Sequence, residues 1–235
     1  RNTILPSVTA QTLLQTTGTG TTTFNGTVNT TSATGVDITT TNSIVNALST
    51  TSVDGSVPAS APGIVCLQAT AGTASATTGI ITMLDPGRIV AANDVSIRGN
   101  RNVAPAILVY EATPAGADLT PQTRDFITTT TANADVLIES SINFISPGET
   151  ANNNFIINTK AANGNITLQG AIDGNWNNFV LISGSGTVTT TATAPMTEVA
   201  TLTLQDNSGF SNGTINLNAS IAVDWIEVFP QNYAV

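Results

Sequence analysis

The stretch "NNFVLISGSGTV", residues 177–188, joins a charge-free apolar run to a Gly-Ser-Gly corner and then to a second strand-forming run. Phe179 and Leu181 lie two residues apart, so on a pleated strand their side chains leave the same face. Gly184 and Gly186 provide a tight turn, and Val188 opens the next strand. The fold depends on whether this pattern recurs, and it does. "NNFIINTKAANGNITLQGAI" from Asn153 and "VATLTLQDNSGFSNGTINLNASI" from Val199 carry the same two strand signals. Phe155, Phe179 and Leu202 share one register at spacings of 24 and 23 residues, with Ile157, Leu181 and Leu204 two residues further on. Ile166, Val188 and Ile215 open the second strand of each unit, and "DFITTTTANADVLIESSI" adds an earlier copy with Phe126 and Val136 in the two roles.

A second offset shows that each unit turns a corner. Apolar residues recur at i, i+2 and i+6: Val136, Ile138, Ile142; Ile166, Leu168, Ile172; Ile215, Leu217, Ile221. Strand alternation explains the first step, while the jump to i+6 requires a turn, supplied by "QGA" and "NAS". Fainter copies lie in the N-terminal half, with Phe24 and Val28, Val36 and Ile38, and Val95 and Ile97. Short cornered strands repeating at slightly over 20 residues predict a parallel β-solenoid, in which inward residues stack into an apolar column and outward positions are free to be Thr, Ser and Asn. The segment "ILVYEATPAGADLTPQTRD" fits no such coil and reads as an insertion. The expected organisation is an N-terminal arm or cap at 1–17, an irregular β region with an insertion at 18–120, β-helix coils at 121–223, and a C-terminal cap or exchange strand at 224–235. The alternative is a β-sandwich fibre subunit that receives a donated strand, from "RNTILPSVTAQTLL" or "IEVFPQNYAV".

Composition narrows the function. Of 235 residues, 9% are charged and 40% hydrophobic, and the polar remainder is mostly Thr, Ser, Asn and Gly. Such an alphabet suits short strands and tight turns. The net charge is −9 and the six basic residues are scattered, so no basic face is expected for nucleic acid. There is no apolar run of 18 residues, hence no expected transmembrane helix. The start at Arg1 fits a processed product or an excised fragment. The single cysteine, Cys66 in "GIVCLQA", cannot form an internal disulfide and reads as a buried core thiol.

The coils "NGNITLQGAI", "NADVLIESSI" and "NGTINLNASI", with companion strands such as "NFIINTK" and "TLTLQDNSG", resemble those of filamentous-haemagglutinin-type bacterial exoproteins and related β-strand-repeat surface proteins. The likeness is closest over residues 120 to 223. It implies a right-handed parallel β-helix, export, and a role in adhesion or in building a surface layer or fibre. It brings no catalytic residues to carry over.

With no histidine in the chain, Ser-His-Asp, Cys-His and His-zinc sites are excluded. A carboxylate pair would still suffice for glycoside hydrolysis, with Asp94 near Arg98 and Arg101, or Asp173 near Asp206, as candidates. The simpler reading is that these residues cap turns. "TTGTGTTT" at 16–23 lacks a Lys and a following helix, so it reads as corner chemistry, not a phosphate cradle. Trp176 and Phe210, expected in loops of successive coils, together with Trp225, Phe229 and Tyr233 near the C-terminus, are the candidate contacts for a partner or glycan. No cofactor and no metal are expected. The function expected is that of a non-enzymatic, extracellular or cell-surface structural protein, a subunit of a bacterial surface fibre, sheath or adhesin, whose partners are other copies of itself or surface glycans. The rival is a polysaccharide-binding or polysaccharide-degrading β-helix protein.

Overall fold

The structure, a computed structural model, describes residues 1–46, 50–52, 63–70, 78–84, 88–100, 105–110, 123–145, 153–159, 163–205 and 213–229. Among them there are only strands, turns and bends, and every strand pair is parallel. The chain winds as a parallel β-solenoid with three faces. Thr3–Leu5, Thr22–Phe24, Ile44–Asn46, Ile81–Met83, Ile107–Tyr110 and Ile142–Ile145 stack as the first face. Val8–Ala10, Val28–Thr30, Thr50–Ser52, Ile89–Ala91, Thr123–Thr129 and Asn154–Asn158 stack as the second. The third face is an eight-stranded sheet running from Leu13–Gln15 to Thr214–Leu217. Three long strands, Ile172–Ile182, Met196–Gln205 and Ile221–Phe229, serve both the first and the second face, which makes those two faces one 15-stranded sheet.

The stacking is a set of unbroken register columns. On the first face Thr3, Thr22, Ile44, Ile81, Ile107, Ile142, Ile172, Met196 and Ile221 stand one above the other. On the second, Val8 leads through Val28, Thr50, Ile89, Ile127, Ile157, Leu181 and Leu204 to Val228. On the third, Leu13 leads through Val36, Val65, Val95, Val136, Ile166 and Val188 to Ile215. The expected partners are therefore neighbours: Phe155 pairs Phe179, Phe179 pairs Leu202, and all three are buried. Period-2 alternation drives this arrangement, because each buried inward residue removes apolar area from water while its neighbours face out. The widest side chains meet in the middle of the core, where Phe144 stacks on Phe155 at 4.4 Å between centroids and tilts against Phe179 at 5.0 Å.

The register also runs through the described residues of 18–120. "ILVYEATPAGADLTPQTRD" supplies two strands of one rung, Ile107–Tyr110 on the first face and Thr123–Thr129 on the second. Residues 3–15 form the first rung of all three faces, paired to residues 22–38. Parallel pairing throughout sets aside the antiparallel sandwich alternative.

Three expectations are corrected. Cys66 is not a core thiol: Val65 and Leu67 point inward and are buried, so the thiol between them lies on the outer face, half-exposed. Phe126 is buried but out of register. A bulge between Asp125 and Ile127 turns both Phe126 and Ile127 inward; Arg124, not Phe126, pairs with Phe155, and Ile127 pairs with Ile157. Trp176 is not in a loop but within the strand Ile172–Ile182, at a bend.

Candidate functional site

The polar residues of the third face build ladders that run from rung to rung. At its entrance, Asp94 Oδ1 accepts the backbone N–H of Asp135 at 2.8 Å. Asp135 Oδ1 accepts that of Asn165 at 2.7 Å, and Asn165 Oδ1 accepts that of Thr187 at 2.9 Å. Each short side chain thus satisfies a donor that the corner leaves outside the sheet ladder. In the same corner a buried hydroxyl reaches across the turn: Thr129 donates to the Ala134 carbonyl at 3.2 Å, Thr159 to that of Gly164 at 2.8 Å, and Ser183 to that of Gly186 at 3.4 Å. The turn needs one residue in the left-handed region, and it is Asn133, Asn163 or Gly184. The left-handed residue of this turn recurs in "ANADV", "NGNI" and "GSGTV", and the hydroxyl that spans the turn stands four residues before Asn133 and Asn163 and next to Gly184.

The carboxylates singled out from the sequence occupy these structural positions. Asp94 is the first member of the entrance ladder described here. Asp173 Oδ2 accepts from Asn143 Nδ2 at 3.0 Å and its Oδ1 from the N–H of Asn175 at 3.1 Å, which ties the bend in its own strand. Arg98 lies 3.6 Å from Glu139 on the outer surface, not against Asp94. Arg101 and Asp206 lie outside the described residues. Asp173 borders a pocket of about 320 Å³, whose wall is otherwise mostly apolar: Pro105, Ile142, Ala171, Ile172 and Pro195. Asp125 has its carboxyl held above the usual range by burial, partly opposed by Arg88. Among the described residues no three potential metal ligands cluster.

The aromatic candidates separate into two places. Trp176 sits at the bend with φ 61°, and half its surface is exposed. Asn177, buried beside it, holds the bend by donating to the carbonyls of Gly174 at 2.9 Å and Asn175 at 3.0 Å. Trp225 and Phe229 lie on the last strand and are exposed; with Glu227 between them they alternate along its outer face, while Val228 packs toward the core. Phe210 and Tyr233 lie outside the described residues. Outer-face Cys66 stands in register between Asp37 and Ser96, and Gln68 Nε2 donates to its Sγ at 3.6 Å. Burial, then the Asp37 charge, pushes its thiol up.

Both ends of the solenoid expose large apolar side chains: Ile4 and Leu14 on the first rung, Trp225, Ile226 and Phe229 on the last. No described helix is long and apolar enough to cross a membrane. No protein-family model, curated protein or solved structure matches this chain, so the parallel β-solenoid with its polar ladders stands as the most specific description of what it is.

Proposed function

We propose that the chain is a non-enzymatic structural protein of a bacterial surface, an extracellular solenoid that contributes to a fibre, sheath or adhesin and assembles with copies of itself. The observation that carries this reading is the use made of the polar side chains: Asp94, Asp135, Asn165 and Asp173 all bond backbone amides of the corners. A side chain whose oxygen is engaged by a corner amide is committed to holding that turn. The resemblance of the coils to filamentous-haemagglutinin-type exoproteins supports export and surface location, and the exposed apolar ends support self-assembly.

The test pairs an assembly measurement with an activity measurement. Sedimentation and electron microscopy of the purified chain are expected to show oligomers or filaments, and incubation with bacterial and plant polysaccharides is expected to release no reducing ends. Polysaccharide cleavage that disappears in Asp94→Asn or Asp173→Asn would overturn the structural reading.

A second reading, a polysaccharide-binding solenoid, is favoured by one feature, the alternation of Trp225, Glu227 and Phe229 on one strand face. Aromatic faces stack on sugar rings, and a carboxylate between them accepts hydroxyl protons. A glycan array bound by the native chain but not by Trp225→Ala would favour it.

A further inference from the structure

The two ends of the solenoid are built differently, and the difference bears on how copies meet. Resting on the self-assembling reading above, we propose that copies stack head to tail, the last rung of one chain on the first rung of the next, with all three faces continuing in register across the junction.

The register columns define the fit. Each starts on the first rung and ends on the last: Thr3 to Ile221, Val8 to Val228, Leu13 to Ile215. One further step of the same stacking sets Ile221, Val228 and Ile215 against Thr3, Val8 and Leu13 of the next copy. Inward positions of the last rung are aliphatic throughout, with Leu217, Ile221, Val223 and Val228 packed only partly against the core. Ile226 shows this most clearly. It pairs with the fully buried Leu202 of the rung above and is itself 46% exposed. The first rung offers Leu5, Val8 and Leu13, also only partly buried, as the complementary surface. Gln15 stands at the inward register of Ile38, where its amide bonds Thr22 and the Thr39 carbonyl and so closes part of that end with polar contacts.

Direction and charge select this junction over contacts between like ends. Every ladder in the molecule is parallel, and head-to-tail contact extends that geometry, whereas like ends would have to pair antiparallel. Arg1 is the sole charged side chain before Asp37 in the sequence, while Asp173, Glu198, Asp206, Asp224 and Glu227 are the charged residues after Lys160. Two C-terminal ends would set Asp224 and Glu227 against their own copies; the head-to-tail junction sets them near Arg1.

The test uses Leu14 and Asn216, outer positions of one register column that runs through Asp37, Cys66, Ser96, Leu137, Thr167 and Thr189. In a Cys66→Ser background, Leu14→Cys and Asn216→Cys proteins are treated separately and mixed with a short bismaleimide. The expected result is a cross-linked dimer in the mixture only, and a multimer ladder from the chain carrying both substitutions. A cross-link within either single variant alone would overturn the proposal in favour of like-end contact. Oligomers in sedimentation without any cross-link would overturn the junction while leaving self-assembly standing; a monomer at every concentration would overturn both. Ile226→Glu, checked for an unchanged β-sheet circular dichroism spectrum, should raise the concentration needed for assembly by roughly tenfold or more, and unchanged assembly would likewise overturn the proposal.

Discussion

Up to Asn158, the first and second faces are made of separate strands; from Ile172 onward, single strands of 11, 10 and 9 residues cross the same corner. The first region interrupts the strand at that corner. The second bends it, placing Asn175, Trp176 and Glu198 at φ 45°, 61° and 53°, where L-residues are strained. The inward column does not register the change. Ile157, in a rung of separate strands, pairs with Leu181, in a bent one, without a slip. The rung is specified by its inward side chains, and the corner is a local solution that differs from rung to rung.

Substitutions break or sharpen that contrast. The largest effect should come from the core that both regions share: Phe179→Ala is expected to cost about 3–5 kcal/mol in urea unfolding. Phe24→Ala should cost less, because Phe179 also packs on the Phe144 ring; equal costs would show that the aromatic cluster adds nothing beyond its area. Next come the close approaches between rungs. A Cβ at Gly164 would strike the Ala134 carbonyl, whereas at Gly18 it would meet the mobile end of the Gln15 side chain. Gly164→Ala should therefore destabilise by about 1–3 kcal/mol, and Gly18→Ala should leave the midpoint nearly unchanged. At the bent corner, Glu198→Gly should raise stability by about 0.5 kcal/mol, left-handed strain relieved less the entropy of glycine; a gain of the same size in Glu198→Ala would remove strain as the cause. The smallest effect is chemical. Because burial and Asp37 favour the neutral thiol, Cys66 should alkylate more slowly than free cysteine at pH 8, speed up as pH rises through its elevated pKa, and speed up in Asp37→Asn.

The same contrast explains what could be read from the sequence. Between Ile142 and Ile221 the rungs are close to constant in length, so Phe155, Phe179 and Leu202 align by simple spacing. Earlier rungs run from 19 residues, Thr3 to Thr22, to 37, Ile44 to Ile81, and a search at fixed period loses them. A better signal was present: a small or polar residue before the first inward aliphatic, as in Ser43-Ile44, Ala106-Ile107, Ser141-Ile142, Ala171-Ile172 and Ser220-Ile221. Cys66 shows where composition misleads, because its neighbours are apolar but occupy the opposite face. Apolar composition does not separate Val65 from Cys66, and strand parity does. Of the candidate site, the turn-capping role of Asp173 was legible as Asx chemistry. The rung-to-rung ladder was not, since it joins residues about 30 to 40 apart.

The parallel columns have a mechanical consequence. Hydrogen bonds between rungs point along the solenoid axis, so a pull from end to end loads the rung interfaces in series and the weakest yields first. Among the described residues of the second face the fewest register pairs lie between Val28–Thr30 and Thr50–Ser52, Val28 with Thr50, whereas Met196–Gln205 and Ile221–Phe229, which serve both faces, share seven. A load applied across the axis is instead divided among the rungs. The molecule should peel from its N-terminal third when stretched lengthwise and resist as a bar when pushed from the side.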